Sequence, residues 1–203
     1  MKIYFDSEFT GLRKDTTLIS IGLIDGNNRM FYGICNDYDR SQLNDWLINN
    51  IIKKLDYDVP ESLKDYEMVY VNGSKQEVQH ALLDWIDAGE YKTIEFVSDV
   101  CHYDFVLLID LLWGEALNAP ENISPVCSDL NNRIARLKRI IEQGAFNISR
   151  EELMTQLKLK TGHHVKLVEE LEKMETKHNA LYDAIVIKVL YELIELECGE
   201  FEF

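Results

Sequence analysis

The chain has 203 residues, of which 46% are hydrophobic and 28% charged, and this suits one globular domain with a sizeable core. We therefore expect residues 1–203 to form a single domain. The net charge of −15 argues against a protein that coats long nucleic acid by charge alone, but not against one that holds a chain end through metal ions. No apolar run is long enough to cross a bilayer, so we expect no membrane partner.

The apolar runs of the chain predict strands and helices in alternation. Strands are expected at 2–6, 18–25, 29–35, 93–98 and 124–128. Helices are expected at 41–53, 74–88, 105–113, 130–142, 149–158 and 180–197, whereas 54–70 is the least regular stretch. This order predicts an α/β fold with a mixed five-stranded sheet, an antiparallel meander followed by parallel strands, flanked by helices.

Cysteine usage and local charge add two expectations. The four cysteines lack paired-ligand spacing, and no signal-peptide pattern is visible, so we interpret them as reduced thiols of a cytoplasmic protein. Residues 130–166 carry eight Lys or Arg against three Glu, a local balance of +5 on an acidic chain. That stretch is either a phosphate-facing surface or a solvated helix face.

Asp6 and Glu8 lie one residue apart at the end of the first apolar strand. Side chains alternate between the two faces of a strand, so these carboxylates share a face. Two like charges this close raise each other's pKa unless a cation lies between them, and a buried charge needs a partner. A divalent metal ion would supply that partner, and exposed acids at a strand end are the simpler alternative.

A third carboxylate follows the fourth strand. Asp104 lies between that strand and an apolar helix, where an Asp often only caps the helix. Because the helix is apolar throughout, we expect its N-terminus to lie near the strand ends, and Asp104 with it. Asp99, one residue past the strand, is a rival, and we prefer Asp104 partly for the family resemblance given below.

His178 and Asp183 form the last candidate pair. Within one helix a spacing of five would leave the two side chains roughly 140° apart, so they cannot share a face. Both reach one site if Asn179 is the N-cap, His178 precedes the helix and Asp183 lies in its first turn. Together with the other three acids they make a set of four carboxylates and one imidazole. Carboxylates are ligands of Mg²⁺ or Mn²⁺, and a neutral imidazole can take a proton from water, which is the chemistry of a hydrolytic nuclease.

These motifs resemble those of the DEDDh 3′–5′ exonuclease family, which has the ribonuclease H-like fold. The resemblance rests on Asp6-Ser7-Glu8, on Tyr103-Asp104 before an apolar helix, and on His178 with Asp183, in order along nearly the whole chain. It is greatest to small bacterial and phage exoribonucleases. The second motif departs from the family, because many relatives have Asn-x-x-Phe-Asp where this chain has Val100 to Asp104.

The resemblance implies a role for each motif residue. Asp6, Glu8, Asp104 and Asp183 would hold two divalent cations, Mg²⁺ or Mn²⁺, and His178 would be the general base. Phe9 and Thr10 would contact the 3′-terminal nucleotide, Phe9 by stacking or by simple packing. The implied partner is a nucleic acid 3′ end, with RNA favoured, single-stranded or as an overhang. Related enzymes often pair, so the resemblance is also compatible with a homodimer.

Other readings stay open at this point. An exonuclease of single-stranded DNA, or a phosphodiesterase of short oligonucleotides, would use the same chemistry, and a non-catalytic nucleic-acid-binding protein could use the same fold. His163-His164 has no cysteine at zinc-ligand spacing, which disfavours a metal site there. Trp46, Trp85 and Trp113 lie in helical apolar patterns and are predicted to be core residues.

Overall fold

A mixed sheet forms the centre of the computed structural model, which describes residues 1–55, 63, 65–141, 149–161, 167, 171 and 178–198. Within those residues the sheet has six strands: β1 Lys2–Phe9, β2 Leu18–Asp25, β3 Met30–Cys35, β4 Met68–Gly73, β5 Glu95–Ser98 and β6 Ser128–Asp129. The helices are α1 Asp45–Asn50, α2 Lys75–Asp87, α3 Cys101–Leu112, α4 Leu130–Ile141, α5 Arg150–Thr161 and α6 Ala180–Cys198. The α/β class, with an antiparallel meander followed by parallel strands, is confirmed.

The sheet order is β4-β3-β2-β1-β5-β6, and β1, β2 and β3 pair antiparallel. Strand β5 runs parallel to β1, and β6 runs parallel to β5, so β1 is central and has a parallel neighbour on one side only. The prediction of five strands was wrong because β4 was missed. It pairs in parallel with β3 at the edge, and its Met68–Gly73 segment begins inside the stretch that looked irregular in sequence.

Each face of the sheet buries its own apolar cluster. One cluster packs alternate strand residues such as Tyr4 and Ile24 against α4, α5 and α6. The other packs Ile3, Phe5 and their neighbours against α2 and α3. Because side chains along β1 alternate between the two faces of the sheet, Asp6 and Glu8 lie on the same face as Tyr4 and therefore face α6.

Several sequence predictions need correction or fall outside the described residues. The predicted helix over 41–53 is instead the short α1 between two 3₁₀ turns, and α3 begins at Cys101, before Asp104. The His163-His164 pair lies outside the described residues, as do the side chains of most of the basic residues in 130–166. No helix among the described residues is long and apolar enough to span a membrane.

Candidate metal centre and active site

Strand β1 delivers two carboxylates to the α6 face of the sheet. Asp6 pairs with Gly22 of β2, and Glu8 pairs with Ser20, after which a bulge shifts the register at Phe9. The side chain of Glu8 is buried, and that of Asp6 is partly exposed to the cavity beside it. The two-residue period of the strand therefore places both acids on one face, as the sequence predicted.

The N-terminus of α6 delivers the other end of the site. Asn179 caps the helix, since its Oδ1 accepts from the backbone N–H groups of Leu181 at 3.1 Å and Tyr182 at 3.2 Å. Asp183 lies in the first turn, and its Oδ2 accepts from the backbone N–H of His178 at 3.1 Å. His178 thus precedes the helix, as the spacing of five required, and its φ of 64° turns the chain into the cap.

Gly22 allows α6 to approach the sheet this closely. A Cβ at Gly22 would lie 2.3 Å from the backbone nitrogen of Leu181 and 2.4 Å from the carbonyl carbon of Ala180. Any other residue would push the helix N-terminus away from the strand. Because Gly22 is the partner of Asp6 across the two strands, the close approach occurs where Asp183 has to meet Asp6.

Asp104 reaches the site from the first turn of α3 on the far side of β1 and β5. Its carboxylate is buried and accepts from Ser7 Oγ at 2.5 Å and from Ser98 Oγ at 3.4 Å. The helix begins four residues earlier than predicted, with Val100 at the N-cap, so Asp104 is not a cap. Its place in the first turn still brings it to the ends of β1 and β5.

The acids form two triads that share one member. Asp6, Glu8 and Asp183 each offer an oxygen, and these oxygens lie within 4.8 Å of one another. Asp6, Asp99 and Asp104 form a second set within the same limit. Asp6 belongs to both sets, so the cluster offers two adjacent positions with three carboxylates each.

This crowding changes the acidity of the cluster. The pKa of Asp6 lies well above its usual value, first because it is withdrawn from water and then because Asp183 and Asp104 are close. Burial and the same two neighbours raise the pKa of Glu8 to about 8, against a smaller opposing effect of Lys54. Burial raises the pKa of Asp104 to about 6, although its hydrogen bond from Ser7 acts in the other direction. Like charges held this close favour protonation or a bound cation.

These residues line a cavity of about 520 Å³. Among its described lining residues Arg150 is the one Arg or Lys, and its guanidinium is held in place from two sides. Arg150 Nη2 donates to Asp99 Oδ2 at 3.0 Å and to Asn131 Oδ1 at 2.7 Å. One guanidinium against five carboxylates leaves the wall strongly negative, so the cavity suits cations better than an anion alone.

Aromatic rings surround the acids. Phe9 stacks on Tyr103 with ring centroids 5.6 Å apart and planes 17° apart. Trp46, predicted to be a core residue, is 53% exposed and meets the His178 ring edge-on, with centroids 5.3 Å apart. That prediction was wrong because α1 is short and turns this face of Trp46 toward the cavity. Trp85, by contrast, is buried, as predicted.

Thr10 is the sequence-predicted site residue that the structure does not bring to the cavity. Its side chain is fully buried, and its Oγ1 donates to Gln42 Oε1 and accepts from the backbone N–H of Thr17 at 2.9 Å. This hydroxyl closes the loop after β1. Phe9, one residue earlier, does line the cavity.

The donor set fits magnesium or manganese. All five metal-ligand candidates in the two triads are carboxylates, and hard oxygen donors of this kind suit Mg²⁺ and Mn²⁺ rather than zinc. The upward pKa shifts, caused first by burial and then by the neighbouring carboxylates, point the same way, because a bound divalent cation would lower those pKa values.

Two comparisons bear on the chain. No family model matches the sequence. A curated protein named 3′–5′ exoribonuclease, from Mycobacterium tuberculosis strain CDC 1551 / Oshkosh, is 24% identical over 123 residues, which cover 61% of this chain and 67% of that protein. A protein of the same description from strain ATCC 25618 / H37Rv matches with the same identity and coverage. The relationship is distant and extends over more than half of each chain.

Three residues of the site were missed or set aside in the sequence. Asp99 was weighed against Asp104, yet the structure places both beside Asp6. Arg150 and Trp46 belong to none of the motifs: His178, the nearest motif residue to Arg150, is 28 positions away, and Glu8 is 38 positions from Trp46. The local excess of Lys and Arg in 130–166 was the one available signal for Arg150.

Proposed function

We propose that the protein is a 3′–5′ exonuclease of ribonuclease H-like fold and DEDDh type, with residues 1–203 forming one exonuclease domain. It hydrolyses phosphodiester bonds at 3′ ends with two divalent cations, Mg²⁺ or Mn²⁺, and RNA is the favoured substrate. The observation that carries this proposal is the pair of carboxylate triads that share Asp6, with His178 at the same cavity.

The carboxylates have one main task in this mechanism, which is to hold the cations. One ion would be held by Asp6 together with Glu8 and Asp183. The other would be held by Asp6 together with Asp99 and Asp104. Bound at these positions, the pair of ions supplies charge stabilisation for the attacking and leaving oxygens of an in-line displacement. Ser7 and Ser98 keep the Asp104 carboxylate oriented toward that position through their hydroxyl groups.

His178 serves as the base. Its ring lines the cavity at the entrance to α6, and its backbone N–H is fixed by the Asp183 carboxylate. A neutral imidazole there can accept a proton from the attacking water, and the edge-on contact with Trp46 holds the ring in place. Asp183 would therefore have two roles, since it ligates a cation and also positions the base.

The rings at the cavity bind the terminal nucleotide. Phe9, Trp46 and Tyr103 line it beside the acids, and every base offers a face for stacking. RNA is favoured because both similar proteins carry the name 3′–5′ exoribonuclease. The net charge of −15 favours short single strands over long duplex, so a phosphodiesterase of short oligonucleotides is the second candidate.

A gel time course tests the proposal. Single-stranded RNA and DNA, labelled at the 5′ end in one series and at the 3′ end in another, are incubated with Mn²⁺, Mg²⁺ or EDTA. We expect 5′-labelled RNA to shorten stepwise, 3′-labelled RNA to release labelled mononucleotide at once, and EDTA to stop both. The matched pair of variants is Asp183→Asn, expected to be inactive, and the exposed Asp87→Asn, expected to match wild type. Internal cuts, or hydrolysis that continues in EDTA, would contradict the proposal.

A further inference from the structure

A second cavity, of about 680 Å³, opens beside the catalytic one between the loop after β1 and the outer face of α3. Its lining includes Arg13, Lys14 and Thr16 from the loop, and His102, Tyr103 and Val106 from the helix. It holds none of the acids of the two triads. Its chemistry is therefore different from that of the metal centre.

The two cavities share one wall. Tyr103 lines both, and the ring of Phe9, which lines the catalytic cavity, stacks on Tyr103. Tyr103 follows the second cavity's His102 and precedes the triad residue Asp104 on the same helical turn. A nucleic-acid strand whose 3′ end lies at the carboxylates, and that passes the Phe9–Tyr103 stack, would therefore enter the second cavity.

The charge of this second cavity is favourable to an anion, unlike that of the first. Arg13 and Lys14 are exposed on its rim, and His102 is exposed beside them. Two acids also line it, but Asp110 is ion-paired with Lys75 at 2.5 Å, which leaves Glu115 as the other negative group. On a chain with a net charge of −15, two neighbouring cations at the exit of a nuclease site stand out as phosphate contacts.

The floor of the cavity is apolar. Val106 is 64% exposed there, and Leu107 and Ile109 continue the surface along α3. An exposed valine next to a tyrosine ring suits the face of a nucleobase, which gains from contact with apolar and aromatic groups. Cations at the rim and apolar groups at the floor match the alternating phosphates and bases of a single strand.

We propose that this cavity binds the single-stranded segment immediately 5′ of the terminal nucleotide. Arg13 and Lys14 contact its phosphates, and Tyr103 and Val106 contact its bases. The inference rests on the proposed exonuclease function and extends it, because it makes strands of several nucleotides, rather than dinucleotides, the preferred substrate class.

A length series tests this proposal. Wild type and Arg13→Gln/Lys14→Gln are compared on 5′-labelled RNA of two, four, seven and twelve nucleotides with the same 3′ sequence. We expect the double variant to lose about tenfold in kcat/KM on the longer strands, through KM, and to match wild type on the dinucleotide. The salt dependence of log KM on the longer strands should weaken by about 1.4, since two phosphate contacts on a single strand are removed.

The control removes the same charge elsewhere. Lys53→Gln/Lys92→Gln alters two exposed lysines that line neither cavity, and we expect it to behave as wild type at every length. Binding of a fluorescent seven-nucleotide RNA to the two double variants, each made in an Asp183→Asn background, gives a readout that does not need turnover. There too only the Arg13 and Lys14 changes should weaken binding.

Three results would overturn the inference. Equal kcat/KM of the double variant and wild type at all lengths would exclude a strand contact, and equal losses at all lengths would place both cations at the terminal nucleotide. A Val106→Glu variant that changes self-association, while leaving every kcat/KM unchanged, would make this face a protein contact instead. Failure of the exonuclease proposal looks different, because wild type would then hydrolyse none of the RNAs.

Discussion

Strand β1 and helix α6 pack along a row of polar groups that contains an ion pair at one end and crowded carboxylates at the other. At the first end Lys188, 1% exposed, pairs with Glu192 at 2.5 Å, and the Tyr4 hydroxyl donates to the same Glu192 oxygen at 3.5 Å. At the second end Asp6, Glu8 and Asp183 bring like charges together. The same two elements therefore carry one charge-balanced cluster and one unbalanced cluster.

The ion-paired cluster belongs to the packing of the fold, whereas the acidic cluster is the candidate metal site. A buried charge is tolerated when a partner is present, and Lys188 and Glu192 satisfy each other within the fold. Among the described residues that line the acidic end, Arg150 is the one Arg or Lys, and its guanidinium is bound to Asp99 and Asn131. Burial first, and the crowding of Asp183 and Asp104 second, raise the pKa values of Asp6 and Glu8, and a bound divalent cation would lower them.

The largest expected effect comes from Asp183→Asn at the unbalanced end. The amide oxygen can still accept from the His178 N–H, so the cap geometry is kept while a metal-ligating charge is lost. We expect Mn²⁺-dependent hydrolysis to fall by about 1000-fold or more, with an unchanged circular dichroism spectrum. Full activity in this variant would remove the metal assignment.

His178→Ala is expected to be the next most severe change. Loss of a general base typically slows turnover by about 100- to 10,000-fold, and none of the triad carboxylates is altered. Single-turnover rates should fall while Mn²⁺ affinity stays close to wild type. The exposed His80→Ala is the control, and a wild-type rate in His178→Ala would show that another group takes the proton.

Lys188→Met breaks the balanced end instead. The change leaves the Glu192 carboxylate without its ammonium partner, and we expect the free energy of unfolding to fall by about 3 kcal/mol. That corresponds to a drop in Tm of roughly 6–12 °C for a chain of this size, with kcat retained by the folded fraction. Lys188→Met/Glu192→Met should recover most of the loss, and a double variant no better than the single one would contradict the pairing.

Trp46→Ala should have the smallest effect of the four. A base that stacks on an exposed indole gains about 1–3 kcal/mol, so KM for RNA should rise by about tenfold, and Trp46→Phe should recover much of it. Leu117→Ala, at a side chain 94% exposed and distant in sequence, should leave KM unchanged. An unchanged KM in Trp46→Ala would limit its role to holding the His178 ring.

How much of this could be predicted from the sequence depended on whether the relevant contact was local. The shared face of Asp6 and Glu8 follows from the strand period, and the geometry of His178 and Asp183 follows from one capping residue, so both were found. The edge strand β4 was missed because its parallel pairing with β3 spans more than 30 residues and leaves no turn signature. Trp46 was misplaced because an indole in a short helix looks the same whether it faces the core or a cavity.

The contact between Asp99 and Arg150 on one side of the site also could not be predicted from the sequence. Asp99 stands one residue past a strand, where exposed acids are ordinary, and its partner lies 51 positions away. Thr10 is the reverse case, because a residue next to a motif was expected to contact the substrate, and the structure shows its side chain buried under the loop.

Calorimetric titration with Mn²⁺ at pH 6 and pH 8 tests the unbalanced cluster most directly. Because the pKa values of Glu8 and Asp104 are raised to about 8 and about 6, protons compete with the metal at low pH. We expect two ions per chain with proton release on binding, an affinity that is higher at pH 8 than at pH 6, and loss of both sites in Asp6→Asn. Mn²⁺ binding that is absent from wild type, or unchanged in Asp6→Asn, would contradict a centre built around that shared carboxylate.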